Sequence, residues 1–294
     1  MRLAGTEFPV SEHAYTERDA MLYALGLGLG LDPLDERQLA YVYEQARGGL
    51  KVLPAFAVTL AYPGHWIREA GFGLDWRRAV HVEQGLRIHR PLPRAGRVAA
   101  RTRITRVVDK GEGKGLLLYS ERRISDLDSG AVLADVSVVT LARGDGGRAG
   151  GASAAPHGET PAPHALPVRP PDARMALPTS RQGSLIYRLC ADANPLHADP
   201  QVAAAAGFER PIAHGLWTYG LAAYGLVELL CGGDPARLAS LACRFRSPAF
   251  AGDALCVEAW TDGHVASFRA TVPQRGVTVL DHGRAEIVAG GALG

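Results

Sequence analysis

The chain has 294 residues, of which 47% are hydrophobic and 21% charged, a composition that excludes wholesale disorder and fits about two domains. Its 32 basic and 30 acidic residues leave a net charge of +2, and only 7% are aromatic, so neither bulk charge nor base stacking implies a nucleic-acid partner. Arg2, Glu7, Glu12 and His13 interrupt any secretory core, and the longest apolar run, Met21 to Leu31, is well short of the ~20 residues that span a bilayer; a cytoplasmic protein without membrane insertion is expected.

Thr16-Glu17-Arg18-Asp19 carries a capping-box arrangement ahead of apolar Ala20 to Leu27, which predicts a helix start. Pro54, Pro63, Gly64, Gly71 and Gly73 then forbid any long helix in the following stretch. Leu86 to Pro91 alternates like a strand and stops at a proline, and further strands are predicted over Val98 to Val108, Leu116 to Ile124 and Val132 to Leu141. Residues 144–180, dense in glycine and then proline, read as a linker.

Beyond the linker the order of elements recurs, which suggests an internal duplication. A helical segment lies near Ser184 to Cys190, Cys243 to Pro248 repeats the strand that ends in proline, and strands follow over Ala254 to Trp260, His264 to Val272 and Val277 to Val288. The second half also has a window free of proline, Gly215 to Leu230, with apolar residues near helical spacing, enough for a central helix. If such a helix fills the concave side of each sheet, the first half lacks its filling, and a cavity is expected there. The class is α+β, with parts at 1–143, 144–180 and 181–294. Cys190, Cys231, Cys243 and Cys256 lack metal-ligand spacing and read as reduced, mostly buried thiols, and no metal is expected.

The chemistry-bearing stretch is Tyr187-Arg188-Leu189-Cys190-Ala191-Asp192-Ala193-Asn194-Pro195-Leu196-His197-Ala198-Asp199-Pro200. Pro195 steers Asn194 away from helical angles, so the helix should end and expose a loop from Asp192 to His197. Asp199-Pro200 reads as an N-cap with proline at the first helical position, opening a short helix that Gly207 closes. Asp192 and His197 then sit on a braced turn where a carboxylate and an imidazole can converge on one water, the equipment of general acid/base catalysis. An isolated turn of this kind is as readily structural, with Asp192 capping and His197 bonded to backbone. Downstream, Gly207-Phe208-Glu209-Arg210-Pro211-Ile212-Ala213-His214-Gly215-Leu216 places Gly215 at the start of the central helix, where an unpaired amide suits an oxyanion; tight packing is the plainer role of that glycine, and His214 is read as structural.

Together these residues resemble the MaoC-like, (R)-specific enoyl-CoA hydratases, whose second domain carries Tyr-Arg-Leu-x-x-Asp-x-Asn-Pro-Leu-His-x-Asp-Pro followed by Gly-Phe-x-x-Pro-Ile-x-His-Gly-Leu. The likeness extends to Tyr15 to Asp19, Tyr23 to Gly26, Leu53-Pro54-x-Phe56, Glu83-Gln84 and Pro91 to Gly96, and points to the two-domain form found in peroxisomal multifunctional enzymes. It implies a double hotdog fold whose first domain lacks the central helix and accommodates the acyl chain. It also implies Asp192 and His197 as the catalytic pair, Asn194 as a supporting residue, Gly215 as the oxyanion donor, and His81, Lys110 and Phe245 along the acyl-CoA site. Cys190-Ala191 replaces the family's Ser-Gly, and Val82 replaces a glycine, adding bulk near the expected substrate entrance.

The expected reaction is reversible hydration of trans-2-enoyl-CoA to (3R)-3-hydroxyacyl-CoA, with no cofactor beyond the substrate's coenzyme A. Rival readings are a hotdog acyl-CoA thioesterase and a catalytically silent acyl-CoA-binding subunit. Acyl-chain preference, the choice of coenzyme A or carrier protein, and the oligomeric state, a homodimer being one option, stay open.

Overall fold

A strand, a helix and then four strands appear twice along the chain. A computed structural model describes residues 3–64, 66–147, 160–190 and 192–289. In chain order the first half contains β1 (Ser11–Tyr15), α1 (Glu17–Leu27), α2 (Glu36–Leu39), β2 (Ala79–Ile88), β3 (Gly96–Asp109), β4 (Leu116–Asp126) and β5 (Val132–Ala142). The second contains β6 (Ala173–Leu177), α3 (Gly183–Tyr187), α4 (Pro200–Ala205), α5 (Gly215–Leu230), β7 (Leu238–Phe245), β8 (Leu255–Asp262), β9 (Val265–Val272) and β10 (Val277–Ile287). The strands form one antiparallel sheet in the order β1-β3-β4-β5-β2-β7-β10-β9-β8-β6, so the halves join where β2 pairs with β7. Reading outward from that junction, 2-5-4-3-1 on one side matches 7-10-9-8-6 on the other, as a duplicated unit requires.

The end strands β1 and β6 escape the hydropathy pattern because each buries a single residue firmly, Tyr15 and Leu177, on an otherwise half-exposed edge. β6 lies within the range read as linker, where flanking prolines mask its short alternation; it pairs with β8 over Ala173–Leu177. Residues 148–159 of that range lie outside the described residues.

Helix α5 occupies the window free of proline. Trp217 to Val227 are all buried, and a helix apolar on every side belongs inside. It packs against β6, β7, β8 and β10, and Tyr219 donates to the Leu241 carbonyl at 2.7 Å. The first half has no such helix among its described residues, and a shorter element lies on its concave face. A 3-10 turn, Pro54–Thr59, is buried at all six positions and touches α5, β2 and β5. Pro54 starts it, and extended Leu60 with Ala61 at φ +46° ends it before Pro63 and Gly64. Phe56 meets Tyr15 and Tyr23 at ring distances of 5.5 and 5.3 Å. Farther along, Phe8, Trp66 and Phe72 cover Ile104, Val107, Leu116 and Leu118.

The turn after the first helix of each half is also duplicated. In the first half the Leu34 amide donates to Asp32 Oδ1 at 2.9 Å and Asp35 caps α2. In the second, the Leu196 amide donates to Asn194 Oδ1 at 3.2 Å and Asp199 caps α4.

Helices α1 and α3 pack directly on one another. Their contact depends on Gly26, because a Cβ there would stand 2.9 Å from the Tyr187 Cα and 3.0 Å from its amide. Trp217 of α5 locks the junction by donating to the Gly26 carbonyl at 2.7 Å. Because the obstacle is backbone, Gly26→Ala is expected to cost ~1–3 kcal/mol, the usual overpacking penalty. Denaturant melts at constant m-value test this; an unchanged midpoint would show that the helices can separate freely.

Candidate active site

Helix α3 ends at Tyr187, and the chain turns as the sequence dictates. Asn194 before Pro195 takes φ −55° and ψ 123°, outside the helical region, and caps a 3-10 turn over Pro195–His197. Asp192 Oδ1 accepts from the Asn194 amide at 2.9 Å, so the carboxylate is fixed by its own loop. Asp199 accepts from the Gln201 and Val202 amides and starts α4, and Gly207 beyond it has φ +86°. Both braces of the turn are in place.

His197 is 9% exposed. Its Nδ1 lies 2.9 Å from the Ile212 carbonyl, a partner that can only accept, so Nδ1 carries the hydrogen and Nε2 keeps its lone pair. His214 is held in the reverse sense: Nε2 donates to the Asp192 carbonyl at 2.9 Å, and Nδ1 is buried without a hydrogen-bond partner among the described residues. The two imidazole rings lie face to face, with centroids 3.8 Å apart and planes tilted by 32°. A carboxylate oxygen of Asp192 and a nitrogen from each histidine all fall within 4.8 Å of one another. Two hydrogen bonds of ~2.8 Å span up to ~5.6 Å, so groups this close can share one water. The same three groups are also the donors a metal ion would use.

Gly215 is the first residue of α5, ahead of the first intrahelical bonds, in which the Trp217 and Thr218 amides meet the His214 carbonyl. The Phe245 ring rests on it: a Cβ at Gly215 would stand 3.0 Å from Phe245 Cε1. Phe245 in turn takes the His81 ring edge-on at 4.9 Å. His81 Nε2 donates to the Glu83 carbonyl at 2.9 Å, and the Asp192 charge reaches His81. The structure therefore gathers Asp192, Asn194, His197, Gly215, His81 and Phe245 into one neighbourhood. Lys110 stands apart, exposed in the β3–β4 turn at the same end of the sheet as His81 but three strands away.

One expectation is reversed. A bulge between His81 and Glu83 turns Val82 outward, where it packs with Val108, Leu117 and Val139 on the face away from α5, and not at the site. His214, read from the sequence as structural, grips the Asp192 backbone and stacks on His197. Tyr62 went unnoticed, although its phenol lies within electrostatic reach of Asp192.

Burial holds the three imidazoles neutral. Desolvation lowers His81 to about 4 against the pull of Glu83 and Asp192. Desolvation and then the neighbouring His197 lower His214 to about 4, and desolvation also lowers His197. In the unfolded chain these groups titrate near ~6.5. Below that pH the unfolded state binds protons that the folded state refuses, so stability present above ~6.5 is lost as pH falls toward about 4. The melting temperature should therefore drop between pH 7 and 5, and His81→Asn should flatten the slope. A flat profile in the wild type would contradict neutral burial.

On the outer side of His197 a cleft of about 450 Å³ is lined by Arg181, Ser184, Arg210, Phe250 and Gly252, among others. The guanidinium of Arg210 lies 4.4 Å from the Phe250 ring centre.

A ten-stranded antiparallel sheet made of two repeated units, one of which wraps α5 and presents an Asp-His turn, is a double hotdog. The same term describes a Mycobacterium tuberculosis structure that matches 97% of this chain and 96% of its own with a TM-score of 0.53 at 17% identity. The chain belongs to the MaoC-like dehydratases in their two-domain form: residues 164–282 match the MaoC like domain and residues 13–144 the MFE-2 hydratase 2 N-terminal domain. It is 40% identical to 3-hydroxyacyl-thioester dehydratase Y of Mycobacterium tuberculosis over 94% of both chains. It is 33% identical to the peroxisomal enoyl-CoA hydratase 2 of Arabidopsis thaliana over 95% of this chain and 92% of that one. A MaoC-like dehydratase structure from Phytophthora capsici superposes with a TM-score of 0.84 at 29% identity, covering 98% and 97% of the two chains. No helix among the described residues is long and apolar enough to cross a membrane.

Proposed function

We propose that this hydro-lyase adds water reversibly and syn to trans-2-enoyl-CoA, giving (3R)-3-hydroxyacyl-CoA, with Asp192 and His197 as its acid/base pair. The reading rests on one observation: a carboxylate oxygen of Asp192 and a ring nitrogen of His197 lie within 4.8 Å of one another, close enough to share a single water, and His197 keeps Nε2 free of the bond that Nδ1 makes to Ile212. The water is held by both groups. As its oxygen attacks C3, one of them takes its proton, and a proton returns to C2 from the same side. Negative charge builds on the thioester oxygen meanwhile, and the Gly215 amide at the positive end of α5 is the donor that meets it. Asn194 supports by anchoring the turn through its bonds to Asp192 and Leu196.

His81 and Phe245 wall the thioester position, and the first unit, 1–143, accommodates the acyl chain. Arg181 and Arg210 at the rim of the cleft offer guanidinium groups suited to the phosphates of coenzyme A. No electron transfer occurs, so the reaction asks for no redox partner. The relatives named above as 3-hydroxyacyl-thioester dehydratase and enoyl-CoA hydratase support this substrate class. The proposed setting is a cytoplasmic homodimer, which light scattering would test for assembly.

Loss of absorbance near 260 nm from crotonyl-CoA and longer trans-2-enoyl-CoAs, with (3R) product on chiral analysis, is the expected result. Release of free thiol without that loss would convert the reading to a thioesterase.

A further inference from the structure

Two polar side chains in the first half face inward, each with one polar atom left unbonded. Arg122 of β4 is 6% exposed, and Thr102 of β3, also 6% exposed, is its direct cross-strand neighbour, so both side chains point to the same face. That face is the concave one: Arg122 Nη2 donates to the Val58 carbonyl, in the buried 3-10 turn, at 2.6 Å. Arg122 Nε and Thr102 Oγ1 are buried without partners, and no carboxylate pairs with the guanidinium among the described residues. Burial lowers Arg122 only to about 10, so it remains a cation at neutral pH.

A buried cation without a counter-ion is costly, as is each unsatisfied polar atom beside it. A hydrophobic lining for a plain alkyl chain would need neither. The position relative to the chemistry is set by Tyr62, whose ring lies 5.5 Å from the Arg122 guanidinium and whose phenol also senses the Asp192 charge. Arg122 is thus about one tyrosine away from the acid/base pair, on the side assigned to the acyl chain.

We infer that Arg122 and Thr102 form a recognition site for a carboxylate carried on the far part of the acyl chain, so that the preferred substrates are enoyl-CoAs with an acidic tail. One carboxylate oxygen accepts from Arg122 Nε–H, and Thr102 donates its hydroxyl to the same group. This rests on the hydratase reading above for where the acyl chain lies.

The test uses binding, so that it does not depend on turnover. Saturated acyl-CoAs of six to about twelve carbons, ending either in methyl or in carboxylate, are titrated calorimetrically into the wild type, Arg122→Met, Arg122→Lys and Thr102→Val. At the chain length that reaches Arg122, the carboxylate-ended ligand should bind roughly ten- to a hundredfold tighter than its methyl-ended counterpart, the range of a charge-assisted hydrogen bond. Arg122→Met should invert that preference, Arg122→Lys should keep part of it, and Thr102→Val should reduce it severalfold. Should Arg122→Met fail to fold, the threonine variant carries the test. Tighter binding of the methyl-ended ligand at every length, or a ratio that Thr102→Val and Arg122→Met both leave unchanged, overturns the proposal. Hydration of methyl-ended enoyl-CoAs without a carboxylate preference would remove the tail site alone. A clear preference in binding without hydration of either series would remove the hydratase reading and leave the tail site standing.

Discussion

Asp192→Asn and His197→Gln should each lower hydration of crotonyl-CoA by at least ~100-fold, the lower bound for proton transfer by a positioned group. The geometry makes the two substitutions gentle on the fold. Asparagine keeps an oxygen for the Asn194 amide that Asp192 Oδ1 now serves. Glutamine gives up one bond, from His197 Nδ1 to the Ile212 carbonyl, which is worth ~1 kcal/mol. Melting temperatures should therefore stay within a few degrees of the wild type while activity collapses. If either variant keeps about a third of wild-type turnover, the acid/base assignment is wrong. The His197 imidazole, lowered by burial, further implies that kcat/KM keeps its plateau below the ordinary histidine range and falls only at more acid pH.

Gly215→Pro and Gly215→Ala form the second experiment. Proline fits the first position of a helix, and His214 before it already has φ −62° and ψ 140°, the extended angles that a residue preceding proline prefers. It removes the amide hydrogen. Alanine keeps that hydrogen but adds the same Cβ, 3.0 Å from Phe245 Cε1, so it reports the steric cost alone. Loss of an oxyanion donor costs roughly 100- to 1000-fold in kcat, and the proline variant should fall below the alanine variant by that order. Equal activities would assign Gly215 to packing only.

The turn that carries Asp192 and His197 was easier to read in this chain than the filling of the fold. Proline and aspartate fix local angles by covalent geometry and local hydrogen bonds, so Asn194-Pro195 and Asp199-Pro200 announce their turn and cap whatever surrounds them. Helix α5 was legible to the residue because its window holds no proline. Val82 was not, since a bulge shifts alternation by one residue and no side chain signals it. The buried turn Pro54–Thr59 was hidden for a related reason: six residues are too few to show a period, and the sequence registers only that a long helix is impossible. Arg122 sits among Glu121 and Arg123 on a strand that alternates in and out, and a lone strand does not say which of two neighbouring arginines faces inward.

The duplicated turn sets the stoichiometry expected of the proposed site. Asp32-Pro33-Leu34 passes straight into the cap Asp35, whereas Asn194-Pro195-Leu196 is followed by His197 and Ala198 before the cap Asp199. The first copy keeps the hydrogen-bonded scaffold but is two residues shorter, and the missing pair is the part that holds the imidazole. With the acid/base pair proposed above, two armed turns would give two centres per pair of hotdog units, and the described residues hold one armed turn. A tight-binding inhibitor should therefore saturate activity at one equivalent per polypeptide, whatever the number of chains in the assembly.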